Sequence, residues 1–322
     1  MPMESPNDNR PTVSVCIVTY NSAGDIEACL RAVRGQSYPV ASIVVVDNAS
    51  TDGTRDVLAR CGGDGLRIIL NGRNNGFAGG QNQAIAASAP SDYVLVLNPD
   101  VSLDPDYVAE IVAVMERNPR IGSATGMLVR ADRPDIMDSA GLMLRPDRNA
   151  ADLAAGEPAA DWTSPREVFG VSGAAAVYRR AMIEDVSDGG QFFDEDFFAY
   201  KEDVDVAWRA RHLGWTAVYV PDTRAAHRRG WKPGGRRSVP LSVRRCSYQN
   251  RFFLLIKNEP AGPHLFLLIP RLLLVEAAKL VYILLREPGL LACWPHILKK
   301  LPVMLARRRR LFRRALSKRR GN

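Results

Sequence analysis

Residues 93–101 read Y-V-L-V-L-N-P-D-V. Tyr93, Val94, Leu95, Val96 and Leu97 form an apolar run of strand length, which suits a central strand of a parallel sheet covered on both faces. Pro99 lacks the N–H that a ladder needs, so the strand is predicted to stop at Asn98-Pro99-Asp100 and to present Asp100 at its carboxyl end. Ligands of open α/β sheets bind at that edge, and a carboxylate there suits a hard cation carrying phosphates. The plainer reading makes Asp100 a cap for the helix expected after Pro105. The flanking segments decide what kind of sheet this is.

Upstream, V-S-V-C-I-V-T (Val13–Thr19) reads as a buried strand, followed by Tyr20-Asn21-Ser22 and a helix over 24–34. A second strand, 43–46, closes on Asp47 in D-N-A-S-T-D-G-T, where Thr51 or Asp52 can cap the next helix. A third strand, Leu66–Leu70, runs into N-G-R-N-N-G-F-A-G-G and a helix over 81–88. Strands alternating with helices imply a mostly parallel wound α/β sheet. Thr19 to Asn21, Asp47, the loop 71–80 and Asp100 should then gather along one edge. The loop has no GK[ST] and lacks dinucleotide-fingerprint spacing. Gly76, Gly79 and Gly80 would let backbone amides approach a phosphate or ribose, although such turns also arise for steric reasons alone.

Residues 130–163 are rich in Ala, Asp, Pro and Arg with little periodicity and read as a long surface excursion, one that orders with substrate. Residues 168–178 resume a strand. The aromatic, acidic segment 192–200 leads into a helix over 202–213 with Val204, Ala207, Trp208 and Leu213 inward and Gly214 as its stop. Glu202, Asp203 and Asp205 share its first turn. The helix dipole alone favours acids there, but three exceed what capping requires. A strand over 216–220 precedes His227.

Taken in order, V-S-V-C-I-V-T-Y-N, V-V-V-D-N-A-S-T-D-G-T, N-N-G-F-A-G-G-Q-N, L-N-P-D-V, E-D-V-D-V-A-W-R-A-R-H-L-G-W and His227 resemble the family 2 glycosyltransferases of GT-A fold, in their bacterial rhamnosyltransferase-like branch. The resemblance covers about residues 12–257. It implies that Thr19, Tyr20 and Asn21 line a nucleotide pocket and that Asp47 accepts from the base. Arg73 and the loop through Gly76, Phe77, Gly79 and Asn82 would lie near base, ribose and diphosphate. Asp100 stands at the metal-binding carboxylate of the D-x-D motif; Asn98 replaces the first Asp, as in the rhamnosyltransferase-like branch, and removes one charge. Asp203 matches the general base and His227 the metal-coordinating histidine, with Mg²⁺ or Mn²⁺ as cofactor. The implied reaction is inverting transfer from a nucleoside-diphosphate sugar to a lipid-linked glycan acceptor, in cell-wall or surface polysaccharide synthesis. dTDP-rhamnose is the first choice of donor and another UDP- or dTDP-sugar the alternative. The chemistry asks for these residue types in any case: a cation steadies a departing diphosphate, and a carboxylate takes the attacking hydroxyl's proton.

Charge divides the chain unevenly. The net charge is +8 overall, but the segment from Lys257 onward is strongly basic and the body before it mildly acidic. Residues 265–285 are mostly apolar, yet Arg271, Glu276 and Lys279 lie within them, each costing roughly 2.5–3.5 kcal/mol at a bilayer centre. On a helical wheel these charges fall on one side and Leu273, Leu274, Leu280, Val281, Leu284 and Leu285 on the other. A helix lying in a membrane interface fits this pattern better than a spanning one, and a helix docked on the catalytic domain or a second subunit is the alternative. Pro288, Pro295 and Pro302 are expected to break up the rest of the chain, and the cluster 307–310 suits anionic lipid headgroups. The expected organisation is a disordered stretch 1–11, a catalytic domain 12–257 and a basic helical region 258–322, with room for a homo-oligomer.

No apolar leader is evident, and the five cysteines form no metal-like cluster, so a cytoplasmic protein peripheral on the inner membrane face is expected. The acidic body argues against a nucleic-acid groove. Q-x-x-R-W is absent, which argues against a processive synthase. A reading of another class makes the chain a membrane or nucleic-acid adaptor on a catalytically dead nucleotide fold.

Overall fold

The computed structural model describes residues 10–63, 65–229 and 239–321; most of the N-terminal stretch expected to be disordered lies outside them. In chain order the elements are β1 (Val13–Thr19), α1 (Ile26–Arg34), β2 (Val40–Asp47), α2 (Thr54–Arg60), β3 (Leu66–Leu70), α3 (Gly76–Ala87), β4 (Tyr93–Leu97), β5 (Val101–Leu103), α4 (Tyr107–Glu116), β6 (Ile121–Arg130), β7 (Arg133–Ser139), β8 (Leu142–Leu144), β9 (Ala150–Asp152), β10 (Arg166–Val168), β11 (Ala175–Arg179), α5 (Arg180–Val186), α6 (Glu202–His212), β12 (Thr216–His227), α7 (Leu241–Asn258), α8 (Leu265–Arg286) and α9 (Trp294–Gly321).

β4 is buried along its whole length. Its alternate side chains serve two cores, as a two-residue repeat dictates. Tyr93, Leu95 and Leu97 join Val15, Ile17, Leu30 and Ile111 on one face. Val94 and Val96 join Cys16, Val18, Ala84 and Tyr178 on the other. The main sheet runs β10-β12-β6-β11-β4-β1-β2-β3, with β5 on β12 and β7 on β6. β1, β2, β3 and β4 are mutually parallel, as are β6 and β12. Only β11 runs against its neighbours in the middle of the sheet. The wound, mostly parallel sheet is therefore as expected.

Three local expectations need correction. The strand over 168–178 is two strands in different places, β10 against β12 and β11 between β4 and β6. A Cβ on Gly170 would meet the Ala207 Cβ at 2.2 Å, so the chain bends where α6 packs against it. Residues 130–163 are no loose excursion. They build β7, β8 and β9 and bury Met137, Ala140 and Trp162 in the core, whose spacing no single period reveals. The prolines after 287 do not fragment the end of the chain, because α9 runs on past Pro302. Pro295 lies in its first turn, where a missing N–H costs little.

α9 packs on the body. Met304, Ile297 and Cys293 share an apolar cluster with Phe253, Leu254, Phe197, Val204 and Trp208, on both sides of Lys257. Lys300 pairs with Asp196, Arg307 with Asp194 and Asp196, Arg310 with Asp188, and Arg314 and Lys318 with Asp185. Part of the basic cluster assigned to lipid headgroups thus meets carboxylates of the protein itself. Two charges of α8 turn inward, where Glu276 pairs with Arg251 and Lys279 reaches Asn149, while its Arg271 and Arg286 are exposed. Its Phe266, Leu273 and Leu274 are 84%, 65% and 73% exposed. Among the described residues no helix is long and apolar enough to cross a membrane.

Candidate active site

The strand ends meet at one edge, as a parallel sheet requires. Asp47, fully buried at the end of β2, accepts from Thr19 Oγ1 (3.1 Å), from the Ser50 N–H (3.1 Å) and from Arg55 Nε (2.8 Å). Burial alone would raise its carboxyl, but these donors outweigh burial and hold it below the usual carboxylate range. Asn21, in the left-handed region at φ 54, accepts from the Thr51 N–H and donates its own N–H to Ser50 Oγ. Tyr20 beside it is exposed.

The glycine loop is a helix start. Gly76, at φ 74, lies so close to the next segment that a Cβ would meet the Phe198 carbonyl at 2.3 Å. Its own carbonyl accepts from Asn48 Nδ2, and the Ala78 N–H donates to Phe198 O. Arg73 and Gly79 line a cleft with Glu195 and Phe198. Phe77 packs edge-on against Phe193, and a Cβ on Gly173 would lie 3.3 Å from its ring. Asn82 donates to Phe193 O and Glu195 Oε1 and accepts from the Phe193 N–H, so it fastens α3 to the aromatic segment.

Asp100 and His227 are 127 positions apart and become neighbours because β12 pairs antiparallel with β5, setting His227 opposite Val101. His227 Nε2 lies 3.4 Å from Asp100 Oδ2, and its Nδ1 lies 2.7 Å from Asp138 Oδ2. Burial disfavours the charged ring, but the carboxylates on its two nitrogens prevail and raise it to about 9. Asp138 also receives Arg229, which reaches on to Asp152. A carboxylate on one imidazole nitrogen is the usual means of aiming the other at a cation. Asp100 and His227 therefore fit a divalent ion, with diphosphate oxygens left to complete its shell. The described residues hold no group of three or more His, Cys, Asp and Glu that could bind one unaided.

The three acids of α6 separate sharply. Asp205 is fully buried against Arg209, Lys257 and Asn258; burial opposes its charge, but the two cations prevail and lower it to about 2. Glu202 is buried with Oε2 unbonded, and burial raises it to about 8. Only Asp203 keeps part of its surface exposed. Its Oδ2 accepts from the Gly173 N–H at 3.1 Å, and burial around the group raises it against that bond and one from Val204. Ala174, next to Gly173, accepts the Asn98 N–H at 2.8 Å. One dipeptide thus links Asp203, Phe77 and the Asn98-Pro99-Asp100 corner.

Asp138 and Gly173 were not legible beforehand as parts of this edge. Asp138 lies in the segment without periodicity, and Gly173 is one small residue among several. The segment before α6 is unusual too: Phe198, Tyr200 and Lys201 all have positive φ near 60–70°. Asn250 Nδ2 lies within 2.9 Å of the carbonyls of Phe197, Ala199 and Tyr200.

Residues 14–187 match the family model described as Glycosyl transferase family 2. Over 242 residues the chain is 31% identical to an N-acetylglucosaminyl-diphospho-decaprenol L-rhamnosyltransferase of Mycobacterium tuberculosis, spanning 68% of this chain and 77% of that one. Two solved structures share the fold. A mannosyltransferase from Pyrobaculum calidifontis, in complex with GDP-Man and Mn²⁺, is 21% identical at TM-score 0.55, over 97% of this chain and 88% of that one. GalNAc-T7, with UDP, GalNAc and Mn²⁺, is 13% identical at TM-score 0.60, over 78% of this chain and about half (49%) of its own.

Proposed function

The chain belongs to glycosyl transferase family 2, and on that premise we propose that it transfers L-rhamnose from dTDP-rhamnose, with inversion, to a hydroxyl of a lipid-linked saccharide at the inner membrane face. The observation that carries the mechanism is the separation of the three α6 acids, which leaves Asp203 alone accessible beside the Asp100 corner. The name of the M. tuberculosis relative supports the choice of sugar and acceptor.

Thr19 and Asn21 shape the nucleotide end of the edge, and the buried Asp47, already bonded to Thr19, Ser50 and Arg55, holds that end together rather than meeting the base directly. Arg73 and the start of α3, with Gly76, Phe77 and Gly79, bound ribose and diphosphate, and Asn82 keeps that helix seated. Asn98, a neutral amide, hydrogen-bonds phosphate oxygens. Asp100 and His227 hold the divalent ion, which when bound offsets the charge that develops on the departing diphosphate. Asp138 keeps His227 turned toward Asp100. Asp203 takes the proton of the acceptor hydroxyl; its raised pKa makes it a better base than an ordinary carboxylate. A single displacement follows, with no sugar bound to the protein.

A donor panel with Mg²⁺ or Mn²⁺ tests this reading. The expected result is release of nucleoside diphosphate from dTDP-rhamnose in preference to other sugar nucleotides, with a product anomer opposite to the donor's. A retained anomer, or cleavage of none of the panel, overturns it.

A further inference from the structure

A second cavity, of about 440 Å³, opens beside α6, between α7 and α8. Lys201, Arg244, Arg251 and Lys279 line its polar side, and Val243 and Ile283 its apolar side. Arg251 is fixed by Glu276, Asn149 and two backbone carbonyls, and Arg244 leans on Glu287. Lys201 differs. Its Nζ donates to Ser247 Oγ, and among the described residues no carboxylate lies in salt-bridge range of it. The lining itself thus holds four cations and no carboxylate. Glu276, Glu287 and Asp147 stand behind Arg251, Lys279 and Arg244, and Asp203 and Glu202 lie near Lys201, so it is the positive ends that face the cavity. Such a site recruits an anion, and flexible lysines bind phosphate as point charges.

Two further facts say which anion. Lys201 lies two residues before Asp203, so their Cα atoms are at most about 7.6 Å apart. The other wall of the cavity belongs to α8, which sets Tyr282 and Ile283 beside Lys279 and opposite Val243 of α7. An occupant therefore has negative charge near the base and hydrocarbon along α8.

We propose that this cavity binds the diphosphate of the lipid-linked acceptor, its first isoprene units lying against Val243 and Ile283 and its sugar reaching toward Asp203. The inference rests on the lipid-linked acceptor reading above. It gives the acceptor an anchor separate from the donor diphosphate at Asp100 and His227. The reacting hydroxyl is set by the distance from that anchor to Asp203.

Farnesyl diphosphate serves as the probe, titrated into full-length protein whose donor site is saturated with dTDP and Mg²⁺. Lys201→Met keeps the aliphatic stem and removes the charge, and is expected to weaken farnesyl diphosphate binding about tenfold or more, as loss of a charge-assisted hydrogen bond does. Lys279→Gln, on the half-exposed side, is expected to weaken it by about threefold and guards against misfolding of the first variant. Binding of farnesol and of phosphatidylglycerol vesicles should change little in either. Unchanged farnesyl diphosphate affinity in both variants overturns the proposal. A parallel loss of vesicle binding overturns it too, because the cavity would then read headgroups in general. Donor cleavage separates the two readings: a chain that cleaves no sugar nucleotide fails the function, whereas one that cleaves donor yet binds the probe independently of Lys201 and Lys279 fails this inference alone.

Discussion

Glu202, Asp203 and Asp205 share one helical turn, yet side chains on a helix point about 100° apart per residue. Asp205 meets cations in the core, Glu202 meets apolar burial, and Asp203 meets the edge. Asp203→Asn removes the proton acceptor while keeping size, so turnover should fall by roughly 10²–10⁴ with donor affinity intact. Single-turnover kinetics beside a dTDP titration checks this, and near-normal turnover would refute the assignment. Glu202 makes a separate prediction. Its folded pKa of about 8 lies above its ordinary 4.5, so the folded state holds the proton more tightly than the unfolded chain. Stability is therefore lost as pH rises through the interval between those two values. Glu202→Gln should flatten that decline in urea unfolding measured from pH 5 to 8; an unchanged slope means the carboxyl is not buried as described. At this scale Asp100, Asp203 and His227 could be named from local motifs, each an acid or imidazole at a strand end or helix start. Asp138 and Lys201 could not, because their roles come from partners 89 and 46 residues away.

Elements carry the next level of constraint. β4 and β1 were readable because burial on both faces writes itself as an uninterrupted apolar run. β7, β8 and β9 were not, because short strands in a polar segment carry no period, and the bend at Gly170 is set by contact with α6 rather than by local sequence. The left-handed residues ahead of α6 are costly for side chains with a Cβ, at about 1–3 kcal/mol each. Asn250 of α7 supplies the compensation by donating to the carbonyls of that segment. α8 departs from the usual pattern of a surface helix, with Glu276 and Lys279 toward the body and most of its leucines outward. If that face lies on a bilayer, replacing Phe266, Leu273 and Leu274 together by Ser should sharply reduce sedimentation with phosphatidylglycerol vesicles. Because these side chains are exposed, the melting temperature should change little. Equal sedimentation of the triple variant and the parent would leave the face without a membrane role.

At the scale of the molecule, the division of charge seen in the sequence becomes complementarity. Five basic side chains of α9 close on Asp185, Asp188, Asp194 and Asp196, and Lys257 joins Asp194 to Asp205 in the interior. The Lys257 pairs are buried, and breaking one by removing a partner is costly. The α9 pairs are largely part-exposed and worth little singly, so they set the register of α9 while apolar packing holds it. The apolar cluster around Phe253 lies beneath them and reaches Trp208 on α6, the helix that carries Asp203. The basic C-terminal region and the helix that carries Asp203 thereby share one core. Met304, fully buried on α9, tests this. Met304→Ala should destabilise the protein by about 2–5 kcal/mol, the usual range for emptying such a position. If the core is shared, the loss appears as one transition, with tryptophan fluorescence and far-UV circular dichroism shifting together to lower urea. An independently folding C-terminal region would instead give an early step of its own, while dTDP binding by the remaining body kept the parent's midpoint. That outcome would detach α9 from the catalytic edge and leave the ion pairs as surface contacts alone.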